Sequence, residues 1–255
     1  MRTVQSTGGR WRRLAPVEAR LLLRRRTTLF GLLSGPLMMV FFALVAGPDT
    51  AEGWGRLAGL AGLVGMLISV YTTSATVFTL RRESGALSRL RTTELTGPGI
   101  VAGAGAPLLV AGVAQALLVC GVYLALGAPL PVNPALLVAA LALCGVFCVA
   151  AGALTATVSR NVEGVQFTIA PLLLAAAVAA NVLVAGGAPD ALRGAMMLVP
   201  GVPVADLAFR AWAGSGPAPD VAGVPAVLVG LVLLLGWTAV AAFGAAARWR
   251  WTPRG

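Results

Sequence analysis

Two ionisable side chains are missing from this 255-residue sequence, which contains neither histidine nor lysine. A phosphate-binding P-loop requires Gly-Lys-Ser/Thr, so the chain cannot form one. A histidine-dependent catalytic triad, a lysine Schiff base and a zinc site with histidine ligands are excluded for the same reason. If nucleotide hydrolysis drives this protein, it must take place on another chain.

Charge is scarce as well, because 11% of the residues are charged and 58% are hydrophobic. Soluble domains carry about 25% charged residues. Six apolar runs, each close to the ~20 residues that cross the hydrocarbon core, contain no Asp, Glu, Lys or Arg. They are 29–46, 57–80, 100–127, 135–158, 165–187 and 221–247. The sequence therefore predicts an all-α membrane protein with six transmembrane helices, forming a single domain over 1–255.

The arginines are unevenly divided among the segments that connect these runs. Sixteen of the 19 fall in the amino end, the second and fourth connections and the carboxyl end. Short cytoplasmic segments retain positive charge, so we expect these four segments, including both termini, on the cytoplasmic side of the cell membrane. The net charge of +10 then divides into +12 inside and −2 outside. The basic balance thus indicates topology and predicts no nucleic-acid partner.

Ionisable residues are also missing from the interior of the predicted spans. Carriers driven by protons or sodium often place such residues within the membrane, and an intramembrane enzyme needs ionisable groups or a metal. Cys144 and Cys148 share a helix face, but no other soft ligand accompanies them, so we predict no metal site. A carrier that binds ions through backbone carbonyls at broken helices stays open as an alternative.

Two polar or mixed segments lie outside the six runs. Residues 1–28 are amphipathic, which predicts a helix lying on the cytoplasmic face in contact with lipid, or a basic flank that only sets topology. The connection 188–220 is long and apolar. It predicts short interfacial or re-entrant helices before the sixth span, with a poorly ordered loop as the alternative.

The connection between the second and third spans contains "TLRRESGALSRLRTTELTGPG", residues 79–99. In helical register, Leu87 and Leu90 fall on one side and Arg82 and Arg89 on the other. This pattern predicts a short cytoplasmic helix that inserts its leucines into a groove of a soluble partner. A solvated loop whose arginines hold topology is the alternative.

The same segment resembles the second connection of type-2 ABC exporter permeases, in which Arg-Glu-x-Gly-Thr-Leu-x-x-Leu precedes a Thr-Pro-Leu element. Ala86 stands here for the usual Thr, and Glu94 for the usual Pro. Two further stretches resemble that family, "SRNVEGVQFTIAPLLL" at 159–174 and "PGVPVADLAFR" at 200–210. In the second stretch, Pro200, Asp206 and Arg210 match the family's outer element.

The resemblance implies a membrane subunit that pairs with a second six-span subunit, expected to be a copy of itself, and with two copies of an ABC ATPase. ATP and magnesium would bind to the ATPase, and this chain would hold no cofactor. The segment after the second span would dock into the ATPase. The coupling residues so implied are Arg82, Glu83, Gly85, Leu87, Arg89 and Leu90.

The resemblance also implies export of a hydrophobic or amphipathic compound, such as a drug, a secondary metabolite or a lipid-like molecule. The path would run between the two subunits and be lined by the first, second and fifth spans. Candidate lining residues are Met38, Met39, Phe41, Phe42, Tyr71 and Asn181. A self-contained channel or secondary carrier without an ATPase is the alternative function.

Overall fold

The computed structural model describes residues 26–84 and 97–249, and within them the chain is helical apart from its connections. The α-helices are α1 (Arg26–Ala46), α2 (Ala51–Leu60), α3 (Thr72–Glu83), α4 (Gly97–Ala125), α5 (Pro134–Val158), α6 (Val165–Val184), α7 (Asp190–Met196), α8 (Pro203–Ala213) and α9 (Ala226–Arg248). Two π-helical stretches, Ala61–Gly65 and Leu67–Tyr71, join α2 to α3. The stretch Ala51–Glu83 is thus one long helical segment, called the second span below.

Six helical segments of the described residues are long and apolar enough to cross a membrane. They are α1, the second span, α4, α5, α6 and α9, which correspond in order to the six predicted runs. The predicted fold class, an all-α membrane protein with six spans, is confirmed. The two short helices predicted before the sixth span are present as α7 and α8.

The boundaries of the second span differ from the prediction of 57–80. The span begins at Ala51, because the Thr50 hydroxyl accepts the Gly53 N–H at 3.1 Å and caps the helix there. It continues to Glu83 through Arg81 and Arg82. A search for uncharged runs stops at the first arginine, whereas a helix does not, so both ends were placed too short.

Two predicted helices lie outside the described residues. The amphipathic interfacial helix was placed within 1–28, of which the structure describes only the last three residues as the start of α1. The short helix after the second span was placed mainly within 85–96, between the two described ranges. Both stay predictions.

The second span is the centre of the bundle. Its most apolar window is 78% buried, compared with 22% for the windows of α1 and α9. α1, α4, α5, α6 and α8 all pack against it, α4 also packs against α1 and α5, and α9 packs mainly against α5. Most of the buried apolar side chains form one continuous core around this central helix.

Glycines allow α1 and α8 to approach the second span closely. A Cβ atom at Gly59 would lie 2.5 Å from the Ala205 carbonyl oxygen of α8, and one at Gly35 of α1 would collide with the Gly65 carbonyl oxygen. Small residues at helix crossings permit such approaches in membrane proteins. The Tyr123 ring of α4 contacts Trp54 of the second span and Trp212 of α8, at centroid distances of 5.5 and 6.1 Å.

Candidate functional site

Arg82 lies at the last turn of the second span and points into the protein. Its residue is only 4% exposed, and its guanidinium donates to the carbonyls of Ala156, Ser159 and Arg160, the last at 3.2 Å. α5 ends at Val158, where the final carbonyls of a helix have no partner within the helix. Arg82 therefore caps α5 and is well placed for the negative end of its dipole.

Glu83 follows on the exposed side and contacts the same connection. Its Oε1 accepts the Val162 N–H at 3.0 Å. Arg82 and Glu83 together join the end of the second span to residues 156–162, and we call these contacts the Arg82 clamp. Among the other predicted coupling residues, Gly85, Leu87, Arg89 and Leu90 lie outside the described residues. A contact of these residues with an ATPase stays a prediction.

One face of the second span is partly open. Residues spaced by four along a helix share a face, and here Ile68, Thr72, Thr76 and Leu80 are all half-buried while most of their neighbours are buried. We call this strip the second-span groove. α1 and α6 pack against the second span but make no extensive contact with each other among the described residues.

The hydroxyls of the groove are already used as donors. Thr76 Oγ1 donates to the Thr72 carbonyl at 2.8 Å, and Thr72 Oγ1 donates to the Ile68 carbonyl. A hydroxyl oxygen that donates its proton can still accept hydrogen bonds. The two threonines thus present acceptors on a face that is otherwise apolar, a combination that suits a ligand with apolar surface and N–H or O–H donors.

The predicted path residues differ in their exposure. Met39 and Tyr71 are buried, and the Tyr71 hydroxyl lies 3.0 Å from Thr155 Oγ1 of α5. Met38 is half-buried, whereas Phe41, Phe42 and Asn181 are exposed on α1 and α6. The Asn181 amide donates to the Ala177 carbonyl of its own helix at 2.8 Å. The role of these residues in a path stays a prediction.

The predicted outer element forms a buried polar cluster at the end of the bundle opposite Arg82. Asp206 of α8 is fully buried, accepts from Arg210 Nε at 2.6 Å and accepts the Ala218 N–H at 2.9 Å. Arg210 also donates to the Ala218 carbonyl. We call this cluster the Asp206 cluster. Pro200, the third predicted residue, is half-buried in the turn before α8.

Burial affects the pKa of Asp206. It raises the pKa of the Asp206 carboxyl above its ordinary value, although the Arg210 guanidinium and the Ala218 N–H oppose the shift. The ion pair and two backbone contacts hold residues 214–218 against α8. Gly214, with φ of +83°, forms the left-handed turn that ends α8 and begins this return.

The two buried cysteines of α5 contact each other, and one of them contacts the backbone of the second span. Cys144 and Cys148 lie one turn apart on α5 with their sulfurs 4.0 Å apart, and the Cys144 thiol donates to the Gly62 carbonyl at 3.2 Å. Gly62 belongs to the first π-helical stretch, where the regular backbone pattern is interrupted. No group of three or more potential metal-ligating side chains occurs among the residues that the structure describes.

Sequence reasoning missed Thr72 and Thr76 as groove residues and the internal partners of Arg82. The hydroxyl-rich run at 72–76 was visible in the sequence, but apolar periodicity does not show which of its side chains faces outwards. The acceptors of Arg82 lie more than 70 positions away along the chain. Only an expectation that buried helix ends need donors could have pointed to them.

Comparison with protein families gives one result that covers most of the chain. The model of the family described as "ABC-2 family transporter protein" matches residues 50–247, a range that contains the second span, the Arg82 clamp and the Asp206 cluster. A search of curated proteins found no match. The chain therefore belongs to the ABC-2 transporter family and is a multi-pass membrane component of an ABC transporter.

Proposed function

We propose that this chain is the membrane subunit of an ATP-driven exporter for amphipathic compounds, working as a homodimer with two copies of a separate ATPase. Membership in the ABC-2 family supports a division of labour between membrane and ATPase chains. The sequence itself supports it too, because it has no lysine for a P-loop. ATP and magnesium would bind to the ATPase chain.

The observation that carries the substrate class is the second-span groove. Its two threonine hydroxyls offer acceptors, whereas the adjoining helices expose large apolar side chains such as Phe30 and Leu37 on α1 and Phe167 and Leu174 on α6. An amphipathic compound can match both kinds of surface, with its donors on the threonines and its apolar parts against these apolar side chains. A strongly charged, hydrophilic compound would find no counter-charge there.

The proposed orientation of the chain in the membrane follows from the distribution of its arginines. The Arg82 clamp belongs to the segments in which positive charge is concentrated, so that end of the bundle faces the cytoplasm. The Asp206 cluster then lies at the outer face. Export requires the groove to communicate with each face in turn, and the second copy of the chain would close its open side.

Reconstitution tests this proposal. The chain is purified from its native membrane together with its ATPase, the complex is placed in liposomes, and ATP-dependent movement of ethidium, an amphipathic cation with aromatic amine donors, is measured. We expect transport only with ATP and the ATPase. Equal transport by the chain alone, without ATP, would show a self-contained channel or carrier instead.

The groove has its own matched variants. Replacing both Thr72 and Thr76 by valine keeps the shape and removes the acceptors. At about 0.5–1.5 kcal/mol per hydrogen bond, this change should raise the half-saturating ethidium concentration by roughly tenfold. Thr79→Val is the control, because its buried hydroxyl donates to the Ala75 carbonyl away from the groove. Equal effects of the two changes would show that the hydroxyls of the second-span groove do not bind ethidium.

A further inference from the structure

Arg82 has contacts within this chain that its sequence context does not predict. The guanidinium is buried, and among the described residues it donates to three backbone carbonyls at the end of α5 and in the connection that follows it. We propose that Arg82 is a positioning residue that fixes the end of the second span to the end of α5, so that both move as one unit. This inference rests on the proposed function for its role in transport.

The geometry favours a rigid connection between the end of the second span and the end of α5, called the joint below, over a simple charge contact. A guanidinium presents its donors in a fixed planar fork, so donation to three carbonyls from two successive segments restricts both position and angle. Glu83 adds a contact to Val162 on the exposed side, 3.0 Å from Oε1 to the backbone nitrogen. The two neighbouring side chains thus hold residues 156–162 from the buried and the exposed sides.

Close packing continues the joint along the two helices. A Cβ atom at Gly152 of α5 would lie 2.6 Å from Ser74 Cβ and 2.9 Å from the Ala75 nitrogen of α3. Further along, Tyr71 and Thr155 are linked through their hydroxyls. A displacement of the end of the second span at Glu83 would therefore reach α5 directly, and through α5 the sixth span, α9, which packs mainly against it.

The joint can be measured on the chain alone. Spin labels are placed at Ser84 and Glu163, both exposed, in a background whose three native cysteines are replaced by alanine. Pulsed electron–electron double resonance then gives the distribution of distances between them. We expect a narrow distribution in the parent and in Arg160→Ala, which removes an exposed guanidinium from the same connection but keeps the backbone carbonyls. Arg82→Ala should broaden it.

The transport role is measured in the liposomes that contain the ATPase. The readout is the ratio of ethidium moved to ATP hydrolysed. We expect Arg82→Ala to lower this ratio by about tenfold, within the usual range of coupling between sites, with ATP hydrolysis itself retained. Arg82→Lys, which keeps the charge but offers one ammonium in place of the fork, should recover part of the ratio, and Arg160→Ala should leave it unchanged.

The outcomes separate this inference from the proposed function. If the parent complex shows no ATP-driven transport, the proposed function fails, and the label distances still decide whether Arg82 fixes the two helix ends. A narrow distribution in Arg82→Ala overturns the joint. If Arg82→Ala lowers thermal stability while the transport ratio stays at the parent value, the residue is only structural and its positioning role is overturned. If the alanine variant does not fold, the transport ratio of Arg82→Lys is used instead. A ratio below that of the parent supports the positioning role, and a ratio equal to that of the parent overturns it.

Discussion

Two arginines lie at opposite ends of this bundle, and their contacts differ. Those of Arg210 should mainly affect stability, and those of Arg82 should mainly affect how two helices move together. Arg210 contacts Asp206 and Ala218, so its interactions stay within 12 residues of chain and hold a short return against α8. Arg82 contacts Ala156 and Ser159, more than 70 residues away, and joins two spans. A local cluster stabilises one element, whereas a long-range joint makes two elements move together.

The acceptors differ as well. Arg210 has a fully buried carboxylate as its partner. The described contacts of Arg82 with α5 and residues 159–160 are with backbone carbonyls, which no single side-chain change can remove. Loss of Asp206 therefore leaves a guanidinium without its counter-charge, while a change at Arg82 leaves helix-end carbonyls without donors. The first should mainly lower stability and the second should mainly loosen a joint.

Removal of the carboxylate at Asp206 should have the largest effect on stability. Breaking a buried ion pair by truncating one partner costs about 3–5 kcal/mol, and Arg210 is partly exposed, so we expect the lower end of that range. Asp206→Ala should lower the free energy of unfolding accordingly, as seen in thermal melts in detergent. Asp206→Asn should cost less, because it keeps an acceptor for the Ala218 N–H.

The control for Asp206 is the exposed pair of Asp190 and Arg193 on α7. Exposed pairs contribute about 0–1 kcal/mol, so Asp190→Ala should melt close to the parent. If Asp206→Ala melts no lower than Asp190→Ala, the cluster does not stabilise the α8 end. If it lowers the transport ratio as strongly as Arg82→Ala does at equal stability, the contrast between the two ends is wrong.

Close helix packing gives the next largest effect and tests both ends with the same change. Gly59→Ala would press against the Ala205 carbonyl of α8, and Gly152→Ala against Ser74 and Ala75 of α3. Overpacking typically costs about 1–3 kcal/mol. Gly236→Ala on α9 is the control, because no atom lies within 4 Å of its added Cβ.

The glycine variants are compared by thermal melts and by the ratio of ethidium moved to ATP hydrolysed. Both Gly59→Ala and Gly152→Ala should lower the melting temperature relative to Gly236→Ala. Gly152→Ala should in addition reduce the ratio of transport to hydrolysis, because it separates the helices that the Arg82 clamp joins. A reduced ratio in Gly59→Ala alone would place the mechanical link at the α8 end.

The smallest expected effect is at Glu83, where it distinguishes an internal from an external role. Glu83→Gln keeps an Oε1 acceptor for the Val162 N–H and removes the charge, whereas Glu83→Ala removes both. If the clamp explains this residue, Gln should transport like the parent and Ala slightly less well. If a charged contact with the ATPase explains it, Gln and Ala should both be uncoupled. Measurement of the transport ratio decides between them.

Much of this architecture was predictable because the bilayer imposes it. Uncharged runs predicted the six spans, and the long apolar connection 188–220 predicted short helices where α7 and α8 lie. The pair Asp206 and Arg210 is separated by one helical turn, so its contact could be expected from spacing. The return of Ala218 to that pair could not, because it depends on the path of residues 214–217.

The site was harder to predict than the fold. The path role of Tyr71 stays a prediction, and its contact with Thr155 on α5 could not be predicted, because single-sequence periodicity carries no information about such a distant contact. Thr72, its neighbour, faces the groove instead. The resemblance implies a contact of Arg82 with the ATPase, which stays a prediction, whereas its contacts at the end of α5 were not visible in the sequence because the acceptors lie more than 70 positions away.

The central claim is that the mechanical input enters at the Arg82 end from the cytoplasm, and cysteine accessibility tests it most directly. Single cysteines are placed at Ser84, beside the clamp, and at Ser215, in the exposed turn after α8, with the native cysteines replaced. Intact cells are treated with a membrane-impermeant maleimide before and after permeabilisation. We predict labelling of Ser215→Cys in intact cells and of Ser84→Cys only after permeabilisation. The reverse pattern would contradict the account.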